Sequence, residues 1–289
     1  MNIRDLEYFY YLCQNKNFTK TAEMLFVSQP SITMALHKIE KELGERLVIR
    51  DHSKAQLSLT EAGKILEKRA FNVLHEIKAA KLEISRISGA KIKLGVPPMI
   101  GAYFFPPFMK ALDINGLVNH IELVETGSTA MKKLLDSGEV DIALIGSIAP
   151  LKDNDLNTTI LKTDQFMVCT SNSHPLLCKP EVNFSELKDE RFTVLGDSYI
   201  HNKVIKDLCL ENGVDMKNFY YTTEIQTAKS LIASGVGIGI MINMAVENMA
   251  SIKTVSLVPA INFYISIAVK KEHYLTSIEK EIMGILLEK

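Results

Sequence analysis

Apolar residues recur along the first 45 positions with the spacing of helices. Leu6, Phe9, Tyr10 and Cys13 stand at i, i+3, i+4 and i+7 and predict a helix over Ile3–Gln14. Thr19 suits the N-cap of a second helix to about Leu25, with Ala22 and Leu25 inward. After the turn Phe26-Val27, Ser28 suits the N-cap of a third helix. Pro30 lies in its first turn, where a missing N–H costs nothing. The inward stripe of that helix is Ile32, Ala35, Leu36, Ile39 and Leu43, and Gly44 stands where a left-handed closing residue belongs. From Glu45 to Leu59 the helical period vanishes. Leu47-Val48-Ile49 and Leu57-Ser58-Leu59 are β-prone runs around a polar tip, Asp51 to Lys54, and predict a hairpin or wing.

Thr60 caps a long helix to about Ser88. Leu66, Ala70, Val73, Ile77, Ala80, Ile84 and Ile87 follow in alternating steps of four and three, which is the coiled-coil period. Such a helix is roughly 40 Å long. From Ile92 the pattern becomes alternating strands and helices. The strands are expected near Ile92–Val96, His120–Val124, Val140–Ile145, Phe166–Thr170, Thr193–Leu195, Phe219–Thr222, Gly237–Ile242 and Tyr264–Val269. This is an α/β domain, with mainly parallel sheets expected. The expected division is residues 1–59, an N-terminal all-α winged helix-turn-helix; 60–89, a linker and dimerisation helix; and 90–289, an α/β domain.

Composition narrows the class. No apolar run in the 289 residues approaches the ~18 needed for a membrane span. The opening Met1-Asn2-Ile3-Arg4-Asp5 lacks the features of a signal peptide, so a cytoplasmic protein is expected. Cys13, Cys169, Cys178 and Cys209 are scattered, and free, buried structural thiols are expected. The histidines stand singly, so no metal site is indicated. The first 90 residues carry 14 Lys and Arg against 11 Asp and Glu, and the remainder 19 against 23. That asymmetry permits a nucleic-acid-binding head on an acidic body.

Helix three has more polar surface than packing requires. Gln29 can pair with an adenine edge, and Ser28, Ser31 and Thr33 can bond bases or phosphates. In a helix-turn-helix the first residues of the second helix enter the major groove, which places Gln29, Ser31, Thr33 and Met34 there; Ser28 and Pro30 at its start belong to the same DNA-binding set. Thr19, His37, Lys38, Arg50 at the base of the wing and Lys54 at its tip then face the DNA backbone.

Phe18-Thr19-Lys20-Thr21-Ala22-Glu23-Met24-Leu25-Phe26-Val27-Ser28-Gln29-Pro30-Ser31-Ile32-Thr33 resembles the signature of LysR-type transcriptional regulators. Ile39 through Gly44, Leu47 through Arg50 and Leu59-Thr60-Glu61-Ala62-Gly63 continue the resemblance at family spacing over about 60 residues. Thr21 stands where the family usually has Ala, and Val48 where it usually has Phe; both are packing positions. The opening Asn2 through Tyr10 is also similar to regulators of the malolactic system. The resemblance implies transcription regulation by a cytoplasmic, DNA-binding activator that is a homodimer or homotetramer and works with RNA polymerase. It also implies a second domain of two lobes similar to periplasmic binding proteins: lobe I over 90–163 and 266–289, lobe II over 164–265. The chain would cross near Thr163–Gln165 and return near Asn262–Ser266.

In such folds ligands sit at strand C-termini, facing helix N-termini. The effector-site residues expected by position are Pro97, Pro98, Met99, Ile100, Thr126, Gly127, Ser128, Thr129, Gly146 and Ser147 from one lobe. Ser198, Gln226 and Thr227 come from the other. Hydroxyls and backbone amides suit a small organic acid. No cofactor and no catalysis is expected. Gly235-Val236-Gly237-Ile238-Gly239 enters a strand instead of leaving one, so it is no dinucleotide loop. Gly196-Asp197-Ser198 lacks the other elements of a hydrolase. Peroxide-sensing LysR relatives pair two cysteines near the position of Cys209; nine residues before it stands Ile200. The rival reading is a small-molecule-binding protein whose N-terminal domain makes protein contacts.

Overall fold

A computed structural model describes residues 1–51, 56–87 and 89–288. Chain contacts divide it into Met1–Ile84 and Ser85–Lys289, and each unit is described by itself.

The first unit opens with α1 (Ile3–Asn15). Asn2 and Asp5 cap it reciprocally, at 2.8 Å and 3.0 Å. The helix buries Leu6, Tyr8, Phe9, Leu12 and Cys13, while Tyr10 is half-buried. Leu6, Phe9 and Cys13 are inward as expected, and Tyr8 and Leu12 join them in place of Tyr10. α2 (Phe18–Met24) is capped by Asn17, whose Oδ1 accepts from the Lys20 amide at 2.9 Å. The expected cap, Thr19, is an exposed residue of the first turn. α3 (Gln29–Leu43) begins after Ser28, which holds the cap position without bonding the helix amides; its hydroxyl pairs with that of Ser31 at 2.8 Å. Ile32, Ala35, Leu36 and Ile39 are buried against α1 and α2, Leu43 is exposed, and Gly44 closes the helix at φ 72°.

β1 (Val48–Asp51) and β2 (Gln56–Leu59) form an antiparallel hairpin, Val48 opposite Leu59. Leu47, Val48 and Leu57 complete the small core. The tip of this wing, Lys54 included, lies outside the described residues. Thr60 donates to the Arg46 carbonyl (2.7 Å) and accepts from the Gly63 amide (3.0 Å), which fixes the start of α4 (Glu61–Ile87) against the base of the wing. Along the heptad seam Ala70 is buried and Leu66 and Ile77 are half-buried, whereas Val73, Ala80 and Ile84 are exposed in the single chain. The side chain of Ile87 lies outside the described residues.

The second unit runs β3 (Ile92–Gly95), α5 (Pro98–Tyr103), α6 (Pro106–Ile114), β4 (Ile121–Val124), α7 (Ser128–Asp136), β5 (Ile142–Ser147), β6 (Leu156–Ser171), β7 (Glu181–Asn183), β8 (Thr193–Leu195), α8 (Ile200–Asn212), β9 (Tyr220–Thr222), α9 (Ile225–Ala233), β10 (Gly239–Ile242), β11 (Ile252–Lys270) and α10 (Ser277–Leu287). One sheet has the order β10-β6-β11-β5-β3-β4, with β7 added on β11; β8 and β9 form a separate parallel pair.

The expectation of mainly parallel sheets is corrected. β3 pairs in parallel with β4 and β5, but β11 is antiparallel to both β5 and β6, and β10 is antiparallel to β6. The cause is the length of β6 and β11, 16 and 19 residues. Their polar halves, such as Leu156–Gln165, read as connections in the sequence. Together they form a two-stranded ribbon through both halves of the unit. At one end β5, β3 and β4 pack with α5, α6, α7 and α10 as a first lobe. At the other, β10, β8 and β9 pack with α8 and α9 as a second. The strands pass between them where Asn262 pairs with Gln165 and Tyr264 with Thr163, beside a register break between Ser256 and Ile261.

The glycines near β10 have a packing role. A Cβ at Gly237 would sit 2.5 Å from the Arg191 carbonyl, and one at Gly239 would collide with Ile232. They allow the strand to approach its neighbours.

Phe26, in the turn between α2 and α3, has φ 54° and is 96 % exposed. A left-handed backbone costs an L-residue roughly 1–2 kcal/mol, while Asn tolerates it. Phe26 buries almost nothing in return. Phe26→Asn is expected to raise stability by about 1 kcal/mol in urea denaturation; a loss of stability would show that the aromatic ring holds the turn.

Candidate functional site

Two regions bring the candidate residues together, one in each unit. In the first, α3 separates its faces. The buried stripe fixes the helix on α1 and α2, and the remaining face meets solvent. Gln29, Pro30 and His37 are exposed, Ser31 and Thr33 half-exposed, and Met34 is 71 % exposed. The Gln29 amide donates to the Thr33 hydroxyl at 3.0 Å, one helical turn on, so the two are presented as a pair. Lys38 is exposed but paired with Asp5 at 2.7 Å. Burial opposes the charge of Asp5, yet the hydrogen bonds from Lys38 and the Asn2 amide outweigh it and hold its pKa below the usual carboxylate value. Lys38 must leave this partner to reach a phosphate. Arg50 belongs to β1, and its side chain lies outside the described residues.

In the second unit a cavity of about 230 Å³ lies between the two lobes. The segment after β3 contributes Pro97, Pro98, Met99 and Ile100; that after β4 contributes Thr126, Gly127 and Ser128; the second lobe contributes Ser198. Eight of the thirteen residues expected by position meet here. The other five do not, for separate reasons. Thr129 is exposed on α7. Gly146 is buried behind Ser128, giving its amide to the Ser128 hydroxyl at 3.0 Å. The Ser147 hydroxyl turns to the Ala149 carbonyl at 2.7 Å. Gln226 bonds the Tyr103 hydroxyl at 3.2 Å, and Thr227 is exposed.

Tyr199, Ile200, His201, Ile242 and Phe263 also line the cavity. Ile242 ends β10, where the rule that ligands sit at strand C-termini points to it. Phe263 of β11 stands one residue before the expected strand Tyr264–Val269, just outside its bounds. The lobes meet closely at one point: a Cβ at Gly127 would collide with the Ser198 carbonyl. Nearby, Lys229 of α9 lies buried, its ammonium 2.5 Å from the Tyr103 hydroxyl and over that ring at 4.1 Å, so α9 is tied to α5.

No Lys, Arg, Asp or Glu lines the cavity among the described residues. Its hydroxyls come from Thr126, Ser128, Ser198 and Tyr199, and its imidazole from His201. His201 packs edge-on against Phe166 at 5.2 Å, and Phe166 against Phe263 at 5.8 Å. Burial alone pushes the His201 pKa down to about 3, so the ring is neutral.

The comparisons with known proteins identify both domains. Residues 3–64 match the family described as bacterial regulatory helix-turn-helix protein, lysR family, and residues 87–289 match the LysR substrate binding domain. The chain belongs to the LysR family. It is a DNA-binding transcriptional regulator with an effector-binding domain. It is similar to the malolactic fermentation system transcriptional activator of Lactococcus lactis, 30% identical over 291 residues, covering 99% of this chain and 98% of that one. It is also similar to the hydrogen peroxide-inducible genes activator of Dickeya chrysanthemi, 29% identical over 250 residues, 85% of this chain and 80% of that one. Among solved structures, full-length OxyR from Pseudomonas aeruginosa matches at TM-score 0.57 and 23% identity, over 99% of this chain and 93% of that one. Full-length BenM matches at 0.54 and 21%, over 99% and 95%.

Peroxide chemistry at the cysteines is not supported by their settings. Burial pushes the Cys209 thiol up to about 11 and Cys169 to about 12, away from a reactive thiolate. Cys178, expected to be buried, is exposed: it ends a short surface turn after Pro175. No cluster of His, Cys, Asp and Glu able to hold a metal occurs among the described residues. No helix of the described residues is long and apolar enough to cross a membrane.

The lowered pKa of His201 has a sign. Between pH 6.5 and 3 the unfolded chain binds a proton there that the folded protein refuses, so stability falls as pH drops from about 6.5, by up to ~1.4 kcal/mol per unit. Urea midpoints at pH 7 and pH 5 are expected to show His201→Phe losing about 2 kcal/mol less than the native protein. Equal losses would place the native ring in contact with water.

Proposed function

We propose that the protein reads DNA with the exposed face of α3, as a dimer or tetramer built through α4, and that a small organic acid in the interlobe cavity switches it to activate a neighbouring gene. The observation that supports this best is the division of α3. Four apolar residues account for its packing, which leaves Gln29, Thr33 and Met34 outside the core and Ser31 bonded only to Ser28 at the helix start. Gln bonded to Thr at one-turn spacing is suited to a base edge, and Met34 to a thymine methyl. Thr19, Ser28, Pro30, His37, Lys38, Arg50 and Lys54 act on the backbone or the approach to it.

Val73, Ala80 and Ile84 give α4 an exposed seam at heptad spacing, which a second copy of the same helix covers. Two heads fixed in this way read half-sites about 34 Å apart, or multiples of that. The cavity suits a small acid because helix starts and hydroxyls converge there without a carboxylate to repel it. The Lactococcus lactis relative is named an activator, and a solved relative, DarR of Vibrio fischeri, is described in complex with DNA; its TM-score is 0.54 at 16% identity. Activation through RNA polymerase in the cytoplasm follows that pattern. Effector binding changes the closure of the lobes and so the bend of the DNA more than the affinity.

Gel shifts on the intergenic DNA upstream of the gene test the reading. Log affinity is expected to fall linearly with log salt, as phosphate contacts require. Gln29→Ala or Thr33→Ala is expected to cost about 1–3 kcal/mol at the specific site and little on random DNA, while Arg50→Ala weakens both equally. Absent or salt-insensitive binding, or the reverse mutant pattern, favours a head that makes protein contacts instead.

A further inference from the structure

One group in the cavity has no task in the folded chain. His201 is 3 % exposed, and neither Nδ1 nor Nε2 has a hydrogen-bond partner. Its ring packs edge-on against Phe166 (5.2 Å) and, more distantly, Tyr199 (6.4 Å). A buried polar group left without a partner destabilises the fold. A phenylalanine would fill the same aromatic corner without that cost.

Two helices begin at the same cavity. α7 starts after Gly127 and α8 after Tyr199, and neither has a side chain bonded to its first amides. Both starts attract an anion. Yet no cationic side chain lines the space among the described residues, and much of the remaining lining is apolar: Met99, Ile100, Ile242 and Phe263. A carboxylate seated here by itself is a buried charge without a counter-ion, which is costly.

We propose that the cavity seats a small monocarboxylic acid at the starts of α7 and α8, and that the acid enters with one proton from solution, shared between its carboxylate and the imidazole of His201. This rests on the reading of the cavity as the effector seat. A second carboxylate would meet the apolar wall unbalanced, so the ligand class is monocarboxylates with an apolar or hydroxylated tail. The proton count is the same whether the pair is imidazolium with carboxylate or imidazole with carboxylic acid.

The pH sense follows. In the folded chain the ring is neutral because burial lowers its pKa, and no charged group contributes to that shift. The titratable neighbour from its own helix start is the phenol of Tyr199, whose pKa is raised by burial first and by Glu224 second. β6 presents Phe166, β10 Ile242 and β11 Phe263, none of them charged. A carboxylate beside the ring reverses the penalty and raises its pKa. Free acids of this class are ionised above pH ~5. From there up to the raised value in the complex, each pH unit weakens binding about tenfold.

Isothermal titration calorimetry on the full-length protein tests this. The probes are aliphatic and hydroxylated monocarboxylates of two to six carbons, their primary amides, and succinate. Titrations at pH 6 and pH 7 in two buffers of different ionisation heat give the proton count. The expected result is a monocarboxylate that binds with uptake close to one proton per site and a Kd about tenfold higher at pH 7. Its amide and succinate bind far more weakly. In His201→Gln the uptake and the pH dependence disappear. Binding without proton uptake, equal binding of acid and amide, or no binding by any monocarboxylate overturns the proposal; the native protein alone decides these. Thr126→Trp, which blocks the cavity, separates the two readings. If it abolishes the binding seen in the native protein but the native protein takes up no proton, the cavity is the seat and the role of His201 fails. If binding with proton uptake persists in it, the acid sits elsewhere and both fail.

Discussion

The second unit depends on one constraint: two long strands, β6 and β11, belong to both lobes. Their pairing carries the chain across at Thr163–Gln165 and back at Asn262–Tyr264, and every other strand of the main sheet is added at one end or the other. The cavity is a consequence of that arrangement. β3 and β4 direct their C-terminal ends toward one wall, and Ser198 and the start of α8 form the other. The register break in the ribbon lies beside Phe166 and Phe263, whose edge-to-face contact carries the aromatic corner against which His201 packs. Lys229 and Gln226 on Tyr103 then tie the lobes a second time, through polar contacts that a change in lobe closure must remake.

The first unit follows a simpler rule. A core of about a dozen side chains, drawn from three helices and the wing, holds α3 by one stripe. A helix fixed on one side with polar residues on the other is a rigid platform, and its first turn carries the residues best suited to base edges. The strain at Phe26 lies in the turn that sets the direction in which α3 leaves α2. The exposed seam of α4 belongs to the same design, because a single copy of the chain leaves Val73 and Ile84 in water.

Much of this was legible in the sequence. The buried stripe of α3, the αL glycine at its end, the wing and the 3.5-residue period of α4 are local patterns, and local patterns survive folding. The short apolar strands β3, β4, β5 and β10 were legible for the same reason. What stayed hidden was long-range. The polar half of β6 looks like a connection because it is exposed, and Pro259 interrupts the first half of β11, so the antiparallel ribbon and Phe263 at the cavity could not be placed. His201 follows the expected Ser198 by three residues, but nothing in its neighbours says that both nitrogens are buried without a partner. Gln226 was expected at the ligand and instead serves the Tyr103 tie, a contact between residues more than 120 positions apart.

The central claim is that lobe closure governs how the protein lies on DNA. Gly127→Ala tests it most directly, because the added Cβ collides with the Ser198 carbonyl and holds the lobes apart. DNase footprints and bend angles on the upstream DNA are to be compared for the native protein and this variant, each with and without a bound acid. The account predicts a variant that binds DNA with near-native affinity but has one fixed footprint and one bend angle that the acid does not change. A variant whose footprint and bend match those of the native protein in both conditions would contradict it.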